Sequence, residues 1–443
     1  MRTSRRGFLK TLGGVALFSI VPRHVLGNGY IAPSDQLTKG IIGTGGMGRG
    51  HVNYAGTRLV AVCDVDKNHL ELGKKLVKEK IAAYHDFRDL ILDPNVDIVH
   101  IATPPHWHGI MSVEAAKAGK DIWCEKPMTR TIGEGKRVME AVQQYGRMFR
   151  LNTWFRFTDQ FYGLGTPVKP LKKLVQSGLL GWPLKVTISA HTGFNWKFFW
   201  VGKEYLEPQS VPSELDYDMW LGPAPERPFN NYRFRGWRGF WDYGGGQQTD
   251  WGVHWIDSAF DGLKALGLCD REYPEAVFST AYKDPTSFNE TPSCQTTIFQ
   301  YKNFHIEWAQ QVAHLYNRDQ GVAWVGSKAT LVCNREGYEL IPEKNREGEL
   351  LTDRAQLVGK FEDGGIEAHA TNWCKCILNK SIETNSPIEK GAFATMLAHM
   401  ANISYLTGTR VVYDPQARKF VNNPKADAYL KRSYRSPWQF PKV

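Results

Sequence analysis

The stretch that most constrains the fold is Leu37-Thr-Lys-Gly-Ile-Ile-Gly-Thr-Gly-Gly-Met-Gly48, a short apolar strand running into a turn with glycines at 43, 45 and 48. Each glycine has a physical reason in a strand–turn–helix unit. The first allows the tight turn, the second lets a pyrophosphate approach the backbone, and the third lets the following helix pack close to the strand. The helix then points its first N–H groups at the phosphates. In a chain with 42 glycines the pattern alone says little. Its context says more, because a second apolar strand, Leu59-Val-Ala-Val-Cys63, ends in Asp64. An acidic side chain there accepts hydrogen bonds from the adenine ribose hydroxyls and repels a 2′-phosphate, so the pattern favours NAD over NADP. Gly43, Gly45, Gly46, Met47, Gly48 and Asp64 are therefore candidate cofactor residues.

Strands and helices keep alternating after this unit, as in a doubly wound sheet. A β-branched run, Val96 to Ala102, ends at Thr103-Pro104-Pro105; a helix over Ile110 to Ala118 leads to the strand Asp121-Ile-Trp-Cys-Glu-Lys-Pro127. A Rossmann dinucleotide-binding domain is expected over residues 36–155. From about Trp182 the pattern changes to period-two alternation, in Leu184 to Ala190, Gln295 to Tyr301, Phe304 to Val312, Val322 to Val325 and Ala329 to Cys333. Lys302-Asn303 makes a hairpin turn between two of these runs. The expectation for 156–415 is an α+β domain with a large, open, mostly antiparallel sheet and helices near 366–405 that return toward the first domain. One sheet face would be left for a partner subunit. The tail, 416–443, yields no reading.

Two domains also suit a length of 443 residues. The formal charge of +10 is spread along the chain without a basic, aromatic-studded patch, so nucleic-acid binding is not expected. Seven scattered cysteines without CxxC pairs read as ordinary thiols. Thr3-Ser-Arg-Arg-Gly-Phe-Leu-Lys10 and the apolar run Thr11 to Val21 resemble a twin-arginine export signal within a leader and linker, 1–35. The run is too short to span a membrane, and a periplasmic or secreted location follows.

Gly43–Gly48, Thr103-Pro-Pro-His-Trp-His108, Glu125-Lys-Pro127 and Asp250-Trp-Gly-Val-His-Trp-Ile-Asp257 occur in this order, followed in kind by Trp220 to Pro225 and Phe240 to Gly246. Together they resemble the family of glucose–fructose oxidoreductase, inositol dehydrogenase and the rhizopine catabolism protein (Gfo/Idh/MocA), in its exported branch. The resemblance covers about residues 36 to 415. It implies that His254 is the general acid/base, that Asp250 positions it or a substrate hydroxyl, and that Lys126 bonds the reacting oxygen. It further implies that Thr103, Pro104, His106, His108, Glu125 and Lys126 lie at the cofactor, that the Lys126–Pro127 peptide is cis, and that the protein is a dimer or tetramer. Independently of the family, Asp250, His254 and Asp257 are spaced to share one helix face. His106 and His108 have no carboxylate near them in sequence, so no metal is expected.

Aromatics crowd between Phe194 and Trp255 among Arg233, Arg235 and Arg238, as in a carbohydrate-facing loop, since sugar C–H faces pack on aromatic rings. Trp154, Arg156, Arg238 and Tyr243 are the candidate substrate residues. The expected activity is NAD-dependent oxidation of a secondary hydroxyl, or reduction of a ketone, on a sugar, glycoside or polyol, with a retained cofactor. The alternatives are a redox-neutral glycosidase that oxidises, eliminates, hydrates and reduces, and a sugar-binding protein without turnover.

Overall fold

Six runs of small and branched apolar residues pair into one parallel sheet, and burial on both faces explains their uninterrupted hydrophobicity. They are β1 (Leu37–Ile42), β2 (Thr57–Cys63), β3 (Ala82–Tyr84), β4 (Ile98–Ile101), β5 (Asp121–Cys124) and β6 (Phe149–Leu151), in the order β3-β2-β1-β4-β5-β6. The strand order reverses between β1 and β4, and a crevice forms at the carboxyl ends of strands at such a switch. The sheet's helices are α1 (Gly46–Gly50), α2 (Lys67–Lys74), α3 (Phe87–Leu92), α4 (Pro105–Lys117) and α5 (Ile132–Gln144). Asp66 caps α2 by accepting from the Asn68 and His69 N–H groups, and Thr131 caps α5 through the Glu134 N–H. The expected helix from Ile110 in fact begins at Pro105, where proline's missing N–H costs nothing. Nearly all of α4 from Pro105 to Ala116 is buried, so something other than the sheet must cover its outer face.

The computed structural model describes residues 36–52, 56–153, 160–161, 166–167, 177–191, 203–265, 269–311, 321–334, 337–358, 365–380 and 384–443. The leader, Trp154 and Arg156 lie outside the described residues.

A second sheet of eight strands follows: β7 (Pro183–His191), β8 (Ala276–Tyr282), β9 (Cys294–Gln300), β10 (His305–Gln311), β11 (Gly321–Gly326), β12 (Ala329–Asn334), β13 (Gly337–Pro342) and β14 (Ala355–Val358). Their order is β8-β9-β10-β7-β11-β12-β13-β14. All neighbours are antiparallel except β10 and β7, because β7 is inserted in the middle of the sheet. The hairpin at Lys302-Asn303 joins β9 to β10. Between β7 and β8 the chain forms α6 (Tyr217–Leu221), α7 (Asn231–Arg235), α8 (Gly246–Asp250) and α9 (Gly252–Ala265). The run from Asp250 to Asp257 thus spans a break at Trp251 instead of one continuous helix.

The last helices, α10 (Gly365–Leu378) and α11 (Ile388–Thr407), pack back on the first domain. Trp373 of α10 meets Trp123 of β5 edge to face at 5.8 Å. On α11, Thr395 accepts from the Met128 N–H at 3.2 Å, and His399 Nε2 lies 2.9 Å from the Thr129 carbonyl. Residues 37–443 form one compact unit. All seven cysteines are free thiols and six are buried. Among the described residues no helix is long and apolar enough to cross a membrane.

The join between α9 and the second sheet is tight enough to test. A Cβ on Gly262 would lie 2.2 Å from Cζ2 of the buried Trp324. Alanine at an interior helix position gains about 1 kcal/mol over glycine, whereas overpacking costs about 1–3 kcal/mol. With an immobile indole as the obstacle the clash should win, so Gly262→Ala should lower Tm in a thermal melt. An unchanged or raised Tm would show that Trp324 has room to move.

Candidate active site

The glycine turn is shaped as its sequence requires. Gly43 has φ +90°, and a Cβ there would stand 2.8 Å from the Ala102 carbonyl oxygen. A Cβ on Gly48 would stand 2.0 Å from the Gly43 oxygen, so this glycine sits behind the turn and serves packing. Cβ atoms on Gly45 and Gly46 would meet nothing within 4 Å; this open side is a cradle into which a phosphate fits. At the end of β2 the Asp64 carboxylate accepts from Thr44 N at 2.7 Å and Thr44 Oγ1 at 3.1 Å through Oδ2, and from Asp66 N at 2.9 Å through Oδ1. The turn and the acidic residue are therefore one braced unit. Burial raises the Asp64 carboxyl above its ordinary value, against the pull of these donors and His69.

A cavity of about 600 Å³ runs over this unit, within the usual range for a cofactor cleft. Gly43, Gly45, Gly46, Met47, Asp64, Thr103 and Pro104 line one side, with Trp107 and Met111 of α4. The other side comes from the second domain: Leu215, Met219, Trp220, Phe234, Trp237 and Arg238. The aromatic stretch expected to face carbohydrate thus divides. Trp220 and Trp237 line the dinucleotide cleft, while Tyr243 is fully buried against Trp220 and packs with Tyr217, Phe229 and Phe240. Tyr243, expected at the substrate, is thus placed in an aromatic core cluster and outside the lining of the cleft.

At one end the cleft shares Met47, Ala102, Thr103, Trp237 and Arg238 with a narrow recess of about 50 Å³ that also holds Glu125, Lys126, Asp250, Trp251 and His254. The Lys126–Pro127 peptide is cis. Lys126 Nζ donates to Asp250 Oδ1 at 2.6 Å and to the Asp250 carbonyl at 2.8 Å, and Arg238 Nε reaches the same Oδ1 at 3.1 Å. One buried carboxylate thus aligns two cations from different parts of the chain. His254, on the first turn of α9, is buried. Burial first, then the Lys126 charge, hold its pKa well below the ordinary 6.5 despite Asp250, so the imidazole is neutral at neutral pH. Glu125 Oε1 accepts from Asn152 Nδ2 at 2.7 Å and lies 3.6 Å from the Nε2 atoms of His51 and His100. Burial pushes this carboxyl up, but the two histidines and Asn152 bring it down to about 2, so it is an anion in the wall of the recess.

Two other sequence candidates lie off the cleft. His106 is buried with Nε2 3.0 Å from the Trp220 carbonyl, because the first turn of α4 directs it into the second domain while Trp107 lines the cavity. His108 is buried with Nδ1 2.7 Å from the Pro127 carbonyl and Nε2 2.8 Å from the Thr103 carbonyl. It braces the two loops that frame the recess without lining it. Neither of these two expected cofactor residues is among those that line the cleft or the recess. Asp257, past the recess, is paired with Arg271 at 2.9 Å. The roof residues Leu215 and Met219 had no signal in the sequence, since a cross-domain contact leaves no local periodicity.

Comparison with known proteins agrees with this architecture. Residues 37–153 match the family model described as "Oxidoreductase family, NAD-binding Rossmann fold", and residues 164–277 match "Oxidoreductase family, C-terminal alpha/beta domain". Inositol 2-dehydrogenase of Salmonella typhimurium is 30% identical over 194 residues, 42% of this chain and 54% of the relative. The chain thus spans about half the length of this relative. Glycosyl hydrolase family 109 protein 2 of Shewanella sp. strain ANA-3 is 40% identical over 119 residues, 24% of this chain and 26% of the relative. Among solved structures, the WlbA dehydrogenase of Bordetella pertussis, in complex with NADH and UDP-GlcNAcA, superposes with a TM-score of 0.61 at 18% identity, covering 86% of this chain and 99% of the other. That likeness speaks to the fold.

Two measurements test the site as built. Asp64→Ala should weaken NAD binding about 10–100-fold, the loss expected for hydrogen bonds to a charged group, and narrow the preference over NADP. Equal NAD affinity in a fluorescence titration would remove Asp64 from the cofactor site. Burial also holds His100 and His399 near about 4 and His106 near about 3. Unfolded histidines bind protons from about pH 6.5 down, so the unfolded state takes up more protons below that value and stability falls. Melts between pH 7 and pH 4 should show Tm dropping progressively below about 6.5; a flat Tm would contradict burial of these rings in neutral form.

Proposed function

Because the chain belongs to the Gfo/Idh/MocA oxidoreductase family, we propose that it is an NAD-dependent dehydrogenase acting on a secondary hydroxyl or ketone of a sugar, glycoside or cyclic polyol. The observation that carries this reading is the neutral, buried His254 beside the Lys126–Asp250–Arg238 cluster, at the end of a dinucleotide-sized cleft. NAD in that cleft supplies the hydride acceptor, and the open cradle at Gly45 and Gly46 with Asp64 beyond it fits such a group. In the oxidative direction the substrate hydroxyl gives its proton to the His254 imidazole while the carbinol hydrogen leaves as hydride, which balances alcohol against ketone. Two of the three Lys126 ammonium donors go to Asp250, leaving one for the substrate oxygen. The remaining Lys126 N–H, aimed at that oxygen, favours it as it becomes an alkoxide.

Support for a sugar-like substrate comes from the relatives' names: one inositol dehydrogenase, one glycosyl hydrolase of family 109, and one dehydrogenase complexed with a nucleotide sugar. The glycosyl hydrolase match favours the redox-neutral glycosidase as the second reading. The Ser4-Arg5-Arg6 leader supports export, for which a retained cofactor is the natural companion. On the second sheet the exposed aromatics Phe278 and Tyr282 of β8 support a homo-oligomer.

The deciding experiment is to add glycosides and polyols to NAD-loaded protein and follow both nicotinamide absorbance and free sugar. Stoichiometric reduction without release of an aglycone supports the dehydrogenase; free sugar without lasting reduction favours the glycosidase. Neither, with no bound nucleotide, leaves a binding protein. His254→Ala should cost about 10²–10⁴-fold in turnover with nucleotide content unchanged. Since His254 is neutral well below pH 6.5, its protonation should leave the oxidation rate level from neutrality down to that pH. An acid limb at or above 6.5 that disappears in His254→Ala would contradict the assignment.

A further inference from the structure

The chain that follows α11 returns to the first domain and ends on the roof of the dinucleotide cleft. We propose that residues 428–443 form a strap that locks the roof segment, 212–222, and sets how fast the cofactor leaves. The inference rests on the reading of the cleft as a nucleotide site.

The roof is hydrogen-bonded to the rim of the first domain. Leu215 bridges Asp66 in antiparallel fashion, Lys67 N donates to the Glu214 carbonyl at 3.0 Å, and Asp216 N donates to the Val65 carbonyl at 3.0 Å. His85 Nε2 lies 2.8 Å from Asp216 Oδ2. These contacts lie beside the part of the cavity near Asp64, where the adenine ribose would lie, so loosening of the roof would widen the way out for a dinucleotide.

The strap holds this roof from outside. Arg435 donates through Nη1 to Asp218 Oδ1 at 2.5 Å, through Nη2 to the Asp218 carbonyl at 2.8 Å and through Nε to the Gly222 carbonyl at 3.0 Å. Its backbone N–H adds a bond to the Pro223 carbonyl at 3.1 Å. Planar guanidinium geometry is what allows three such bonds from one side chain. The strap is itself anchored on the first domain. Arg432 Nε and Tyr434 Oη both donate to Oε1 of the buried Glu134 at 2.7 Å, and Arg432 Nη2 reaches the His106 carbonyl at 2.5 Å. Trp438 packs edge to face on Trp107 at 4.7 Å, behind the ring that lines the cleft, and Arg88 lies 5.4 Å from the Trp438 ring centre. One short segment therefore ties α4 and α5 to the roof. None of its residues lines the cleft or the recess, so the strap acts on opening and not on the chemistry.

The test loads the full-length protein with NADH and chases it with excess NAD, following the loss of energy transfer from tryptophan to bound NADH. Arg435→Gln and Trp438→Leu should each speed release tenfold or more, while turnover at saturating NAD stays within twofold. Arg435→Lys, which keeps the charge and loses the fork, should fall between. Having two variants at separate anchor points keeps the test open if one of them does not fold. Gly262→Ala serves as a control that loosens the protein far from the roof. Release within twofold of the wild type in the folded strap variants overturns the strap alone. Release equally fast in Gly262→Ala also overturns it, because general loosening would then explain the effect. Full-length protein that binds no nucleotide overturns the cofactor reading and the strap with it.

Discussion

The contact on which the site depends is the one between Lys126 and Asp250. It joins the loop after β5 to the end of α8, and hence the nucleotide domain to the substrate domain, through a pair of charges that are both largely out of water. Removing one partner of such a pair would leave the other buried and uncompensated, which is why buried pairs fix geometry more firmly than surface ones. Arg238 completes the arrangement from the 3₁₀ turn at Trp237–Gly239. Burial, and after it the Lys126 charge, keeps His254 deprotonated against the pull of Asp250.

Behind this front lies a second polar layer. Glu125 follows β5, its carboxylate lies near His51 and His100 and is bonded to Asn152, while His108 lies between the Thr103 and Pro127 carbonyls on the other side, its one N–H donating to one of them. Within this layer the Glu125 charge is tolerated because Asn152 donates to it and two imidazoles lie close to it. The loops on both sides of Lys126 are thus held by side chains most of which lie outside the cleft and the recess. His106 and His108 belong to this layer, which explains how residues in a cofactor motif can lie away from the cofactor cleft.

What the sequence revealed is what depends on neighbouring residues. The glycine spacing at 43, 45 and 48 encodes a backbone path, Asp64 follows from the end of a strand, and the hairpin at Lys302-Asn303 follows from alternation on both sides. The roof was illegible because Leu215 pairs with Asp66 far away in sequence, and pairing of that kind has no periodic trace. Within the aromatic stretch from Phe194 to Trp255, mutual packing is invisible to a reading along the chain: Tyr217 stacks on Trp220, and Tyr243 packs edge to face against the same ring. A clue to the strap was nevertheless present. Burial of α4 on nearly all sides, from Pro105 to Ala116, requires a cover on the outer face, and Trp438 and Phe440 are among the residues that provide it.

The place of the strap along the chain gives assembly a direction. Residues 428–443 are made after both sheets and after α11, and domains generally fold in the order in which they are synthesised. On the proposal above, the glycine turn, Asp64 and the roof can all be in place while the outer anchor at Arg435 is still missing. A nascent protein would then pass through a stage with a formed but unlatched cleft, able to take up nucleotide from its surroundings, and would close over whatever it had bound when the strap arrived.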